Sequence, residues 1–195
     1  MNDNLRHAHK SIKIGFSGTA KTDFLQQRDL DLCKEIGAEV ARQGAILVTG
    51  ATTGSPLWAA RGTKEAGGFS IGLSPAKGEE EHVETYGLPL DYMDVIIYTG
   101  FGYSGRDLMF TRATDAMVIG PGRIGTLHEF TIAFEDNKPI GVMHEPDSKT
   151  DDVIHFILNE SHRKDDNKKV FFEADPKKLI AHLIELAKKD KEGHL

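Results

Sequence analysis

Short apolar runs rich in β-branched residues alternate with longer amphipathic stretches along most of the chain. The runs at 12–16, 45–48, 69–73, 95–98, 117–119, 140–143 and 170–172 have the length and composition of buried strands. Between 24 and 43, Leu25, Leu32, Ile36 and Val40 recur at helical spacing. Further helices are predicted around 153–158, and over 177–189, where Leu179, Ile180, Leu183, Ile184 and Leu186 form the apolar face. Strands alternating with helices favour a parallel sheet, because each crossover needs a helix to carry the chain back to the same edge. The pattern therefore predicts an α/β fold of the doubly wound type, with six or seven parallel strands in one domain over 1–195. Ligands of such sheets sit beyond the carboxyl ends of the strands.

Helix starts are marked by residue type. Ser55 before Pro56 reads as a cap followed by the first helical position, and Asp175 before Pro176 repeats the device. Ser104 reads as a cap that places Arg106 in the first turn of its helix. Thr126 followed three residues later by Glu129 has the spacing of a capping box. No internal repeat or low-complexity segment interrupts the pattern, and the charged stretch 163–169 reads as a solvated connection.

Composition narrows the function classes. A net charge of −6 and a pI near 5.8 argue against a nucleic-acid-binding protein, which needs a dominant basic face, although a small anion can still bind locally. No apolar window is long enough for a membrane span, so no membrane role is expected. Cys33 is the only cysteine and is expected in the core; with a start, MNDNLRHAHK, that offers no signal-peptide run, it points to a cytoplasmic location.

Candidate chemistry concentrates in three strand-to-helix loops: SGTAKTD at 17–23, TGATTGSP at 49–56 and GPGRIGT at 120–126. Glycine permits close backbone approach, and N–H groups at a helix start attract phosphate. Gly18, Gly50, Thr52, Thr53, Gly54, Gly122, Gly125 and Thr126 are the resulting candidates for binding a phosphorylated ligand. These loops, together with 100–105, are expected at one edge of the sheet. They match neither GxGxxG nor the Walker pattern, and HExxH is absent around His128, so neither a metal nor a bound cofactor is expected. Arg106 near a helix start asks for an anionic partner, either a ligand or a carboxylate such as Asp107. Glu129 is open to two readings, the cap and a carboxylate beside the ligand's sugar. Arg123, a guanidinium in a glycine loop, reads either as a phosphate contact or as a solvated side chain.

Taken together, Pro121, Gly122, Arg123, Ile124, Gly125, Thr126, Leu127, His128 and Glu129 resemble the PGGxGTxxE signature of the Lonely Guy family of Rossmann-like nucleotide-processing proteins. The likeness is greatest to its shorter bacterial branch, often labelled lysine decarboxylases. Gly50, Ala51, Thr52, Thr53 and Gly54, followed by Gly62, Ala66, Gly67, Gly68, Gly72 and Pro75, follow that branch, and the resemblance covers 12–143. It implies a Rossmann-like three-layer αβα fold and hydrolysis of the N-glycosidic bond of a nucleoside 5′-monophosphate, of the cytokinin riboside monophosphate type. It implies Arg106 and Glu129 as catalytic residues and a homodimer with room for an interface at Leu108, Met109 and Phe110. The decarboxylase label finds no physical support, since nothing marks a lysine as a pyridoxal phosphate Schiff base. Two departures stand out: Arg123 replaces a motif glycine, and Asp107 replaces the usual neutral or basic neighbour of Arg106. The same branch resembles molybdenum cofactor carrier proteins, so a non-catalytic carrier or a nucleotide-sensing module is the alternative.

Overall fold

The structure, a computed structural model, describes residues 11–144, 148–162 and 169–192. Most of the charged stretch expected at 163–169, and the first ten residues, lie outside these.

Seven strands form one sheet: β1 (Lys13–Ser17), β2 (Ile46–Thr49), β3 (Ser70–Ser74), β4 (Val95–Tyr98), β5 (Ala116–Ile119), β6 (Ile140–Met143) and β7 (Val170–Glu173). All neighbours pair in parallel, in the order β4-β3-β2-β1-β5-β6-β7. The helices are α1 (Gln27–Arg42), α2 (Ser55–Glu65), α3 (Gly102–Ala113), α4 (Ile124–Glu135), α5 (Lys149–Glu160) and α6 (Pro176–Glu192). Two cores sandwich the sheet. One packs Ile14 and Phe16 of β1 against Cys33 and Ile36 of α1, Ala59 of α2 and Leu179 and Leu183 of α6. The other packs Met117 and Ile119 of β5 against Phe110 of α3, Phe130 of α4 and Ile154 of α5. This is a Rossmann-like three-layer αβα fold, as expected.

Strand order reverses at β1, whose neighbours are β2 and β5. At such a switch point the loops leaving adjacent strands diverge to opposite faces and open a crevice. Strands with alternating side chains also give β1 two faces: Phe16 enters the α1 side, while Ser17 reaches α4 on the other.

Several local expectations shift. Three predicted strands, at 12–16, 45–48 and 69–73, each lie one residue early, because Ile12, Ala45 and Phe69 precede the paired ladder. Leu25 lies outside α1, and Leu30 joins the buried face in its place. Phe110 is buried in the core and unavailable to an interface, unlike its exposed neighbours Leu108 and Met109. Between β3 and β4, where the sequence suggested no element, a π-helical turn at Glu81–Thr85 buries His82. Its ring bridges Ser74 Oγ, 2.8 Å away, and the Pro89 carbonyl, 3.0 Å away.

Candidate active site

The loops after β1, β2 and β5 are knitted together by their own backbone. Thr19 N–H donates to the Pro121 carbonyl at 2.9 Å, and both the N–H and the hydroxyl of Ser55 donate to the Thr19 carbonyl, at 2.9 and 3.1 Å. With the start of α3 they surround a cleft of about 300 Å³ at the carboxyl ends of β1 and β5. The gathering of 17–23, 50–55, 100–105 and 120–126 at one edge is thus observed.

Of the residues singled out from the sequence, Gly18, Gly50, Thr52, Arg106, Arg123, Gly125, Thr126 and Glu129 line this cleft. Thr53, Gly54 and Gly122 stand behind it. The Thr53 hydroxyl donates to the Ala20 carbonyl at 3.1 Å. Gly54 turns the chain with φ of 73°, its α-carbon facing the Thr19 and Ala20 carbonyls. The Gly122 N–H, expected to meet a phosphate, donates instead to Thr150 Oγ1 at 3.0 Å.

The helix mouths differ in what they leave open. At α1, Gln26 and Asp29 cap each other, and the cap of α2 is Gly54, with Ser55 and Pro56 one position further in than predicted. Ser55 N–H is taken by Thr19, and Pro56 has none to offer. By contrast α4 begins at Ile124 with Arg123 at its cap position and no side-chain cap. Gly125 and Thr126, in its first turn, line the cleft, and N–H groups of a first turn have no partner within their helix. Arg123 lies beside this helix start and Lys21 on the facing loop, so two cations flank it.

The start of α4 overturns the capping reading of Glu129, since a helix from Ile124 puts Thr126 in its first turn and Glu129 in its second. Glu129 is only 6% exposed and forms the floor of the cleft, where Ser17 at the end of β1 donates its hydroxyl to Oε2. Arg106 also lies deeper in its helix than predicted: α3 begins at Gly102, so Ser104 is inside the first turn and Arg106 in the second. Arg106 is 5% exposed, with Nη1 3.9 Å from Glu129 Oε1 and Nε 3.3 Å from Asp107 Oδ1, and that Nε makes no aligned hydrogen bond. Its guanidinium occupies the space over Gly50, where any Cβ would overlap it. Gly50 thus makes room for an arginine.

Burial raises the Glu129 carboxyl from its ordinary 4.5 to about 8; Arg106 opposes the shift and the charge of Asp107 adds to it. The ion pair at 3.9 Å is too long for Arg106 to offset the loss of water. The environment thus favours the protonated form of Glu129 well above the ordinary carboxylate range. Ser17, Lys21, Tyr103 and His128 belong to the site or touch it without having been candidates from the sequence, and Asp107, read there as a carboxylate partner for Arg106, lies 3.3 Å from its Nε. Asp107 Oδ2 accepts from His128 Nδ1 at 2.9 Å, a contact between two helices that local spacing does not reveal. The signal available was the departure at Asp107 itself.

Fold and site together define a Rossmann-like α/β protein with a buried arginine–carboxyl cluster at its switch point. Residues 11–180 match the SLOG cluster4 family, and the chain belongs to it. It is 29% identical over 128 residues to the cytokinin riboside 5′-monophosphate phosphoribohydrolase of Mycobacterium tuberculosis, covering 65% of each chain. Among solved structures it is similar to the molybdenum cofactor carrier protein of Chlamydomonas reinhardtii, with 27% identity, a TM-score of 0.73 and coverage of 91% of this chain and 99% of that one. The molybdenum cofactor binding protein of Rippkaea orientalis shares the fold at a TM-score of 0.71 and 24% identity, covering 94% of this chain and 99% of that one. Among the described residues, no helix is long and apolar enough to cross a membrane.

Proposed function

We propose that this chain is a nucleoside 5′-monophosphate phosphoribohydrolase, which releases free base and ribose 5-phosphate from one domain. The observation that carries the reading is the pairing of two features across one cleft: an open helix start flanked by Arg123, and a buried Glu129 beside Arg106. A monophosphate fits the first, and the second faces the sugar. Breaking the C1′–N bond builds positive charge on the ribose and negative charge on the base. Glu129, protonated at neutral pH, is placed to give its proton to the departing base, and the carboxylate left behind stabilises the cationic sugar. Arg106 holds that carboxylate in register. The relationship to the phosphoribohydrolase of Mycobacterium tuberculosis supports this reaction class.

The similarity to the Chlamydomonas reinhardtii carrier protein favours a second reading, a binding protein without turnover. Chromatography of free base from a panel of nucleoside monophosphates separates the two. The first reading expects release from a purine nucleotide such as AMP without added metal; binding of a pterin cofactor with no base released from any nucleotide replaces it.

Arg123 is exposed, lines the cleft and has no carboxylate partner among the described residues. It is proposed to close over the phosphate through a bidentate contact. Calorimetry of Arg123→Gly is expected to show a loss of AMP affinity of about tenfold or more, with adenosine affinity nearly unchanged. Equal losses for both ligands would remove Arg123 from the phosphate site.

A homodimer is proposed through the outward side of α3 and the neighbouring sheet edge, where Tyr103, Leu108, Met109, Val95 and Ile97 are exposed. Light scattering is expected to give twice the chain mass, falling to the monomer mass in Leu108→Asp/Met109→Asp. A monomer at all concentrations contradicts this.

A further inference from the structure

Glu129 has an acidic companion in its buried surroundings. Asp107, 5% exposed, meets the same guanidinium as Glu129: Arg106 Nε is 3.3 Å from Asp107 Oδ1 and Nη1 is 3.9 Å from Glu129 Oε1. Oδ2 of Asp107 is 2.9 Å from Nδ1 of His128, whose side chain is 43% exposed. Glu129 on the cleft floor and exposed His128 thus stand on either side of Asp107, which shares Arg106 with the one and a hydrogen bond with the other.

We propose that Asp107 and Glu129 hold one proton between them and that His128 is the pair's connection to solvent, a role that rests on the hydrolase reading for its use in catalysis. Two carboxyl groups gathered around one guanidinium and shielded from water resist ionising together, because their repulsion in a low dielectric is large. With one shared proton the pair carries a single negative charge, which Arg106 neutralises from 3.3 Å and 3.9 Å. A neutral triad is the least costly charge state to bury.

The groups facing the pair agree with this arrangement. From β1, Ser17 donates to Glu129 Oε2 and supplies no charge. From α3 comes Arg106, and from α4 comes His128. Lys21 and Arg123 are the other charged residues lining the cleft, both exposed cations, and no further acid lines it among the described residues.

In the reaction, the C1′–N bond breaks and its electron pair passes to the base nitrogen, which takes up the shared proton. The oxygen of a water molecule then bonds to C1′, and the proton it loses returns to the pair. Nucleotide and water become base and ribose 5-phosphate, with no other reactant. Asp107 is a positioning residue here, acting through Glu129. His128 keeps the pair in exchange with solvent protons between turnovers, which a sealed carboxyl does poorly alone.

The test uses the whole ligand-free protein, labelled with ¹³C at glutamate carboxyls, with Glu129 assigned by the signal lost in Glu129→Gln. The wild-type Glu129 signal is expected to titrate near or above neutral pH. In Asp107→Asn its midpoint is expected to fall by about one pH unit or more, since the negative neighbour is gone and the amide can donate. In His128→Ala the midpoint should persist, but the signal should broaden as proton exchange slows, and imidazole should narrow it again. An unchanged midpoint in Asp107→Asn overturns the shared proton. A His128→Ala signal as narrow as wild type overturns the connection to solvent. Asp107→Ser serves as the second charge-removing variant if the asparagine form does not fold. These readouts need no turnover: shifts as predicted with no base released would leave the shared proton standing and remove the hydrolase reading. Base release with an unmoved midpoint would do the reverse.

Discussion

Glu129→Gln is expected to lower base release by about 10²- to 10³-fold, the usual effect of removing a preorganised electrostatic group, while leaving the fold intact. The substitution keeps shape and removes the transferable proton. Its effect on stability has a defined sign. Folded Glu129 holds its proton up to about pH 8, whereas the unfolded chain releases it near 4.5. Between these values the folded state binds more protons than the unfolded one, so the wild-type contribution falls as pH rises and its full cost is present above 8. Glutamine carries no such cost. Melting curves should therefore show Glu129→Gln gaining on wild type from pH 5 to 9, by a few kcal/mol at most. A residue that merely closed a helix would behave differently, losing about 1 kcal/mol at all pH values and keeping its rate per folded molecule.

Gly50→Ala is expected to reduce turnover on the order of 10²-fold although it touches no reacting atom, because small displacements of positioning groups have effects of that size. Its Cβ would occupy the space taken by the Arg106 guanidinium, which packs between Gly50, Asp107 and Glu129. Arg106 must then swing away from the carboxyl pair. Gly78→Ala is the matched control, since a Cβ there meets nothing within 4 Å and the residue is outside the cleft. Steady-state rates and thermal melts of both variants check this. Gly50→Ala with the turnover of Gly78→Ala would show that Arg106 need not occupy its observed position.

These effects explain what could and could not be read from the chain. Strand positions were legible because each β-branched run is bounded by turn residues, and the doubly wound topology follows from their alternation with helices. Their edges slipped by a residue because the ladder begins where a partner strand exists, which periodicity does not encode. The caps misled for a related reason. Thr126 has the right chemistry for a cap, yet α4 starts two residues earlier, at Ile124, with Arg123 at the cap position. Arg106 and Glu129 were identified by motif, but the link between Glu129 and Ser17 spans 112 residues. The role of Gly50 required knowing which side chain lies over it. Asp107 stood out as a departure from a pattern and as a carboxylate for Arg106, but its contact with His128 of the next helix was not legible, because it joins side chains 21 residues apart.

The proposed reaction is breakage of a glycosidic bond in the cleft. It is tested most directly by a single-turnover experiment with the protein in excess over AMP, a metal chelator present, and products quantified by chromatography. Adenine and ribose 5-phosphate are expected to appear in equal amounts with loss of AMP, and almost none in the same time with Glu129→Gln. Recovery of intact AMP from wild-type protein, after binding has been verified and alongside tight binding of a pterin cofactor, would contradict it.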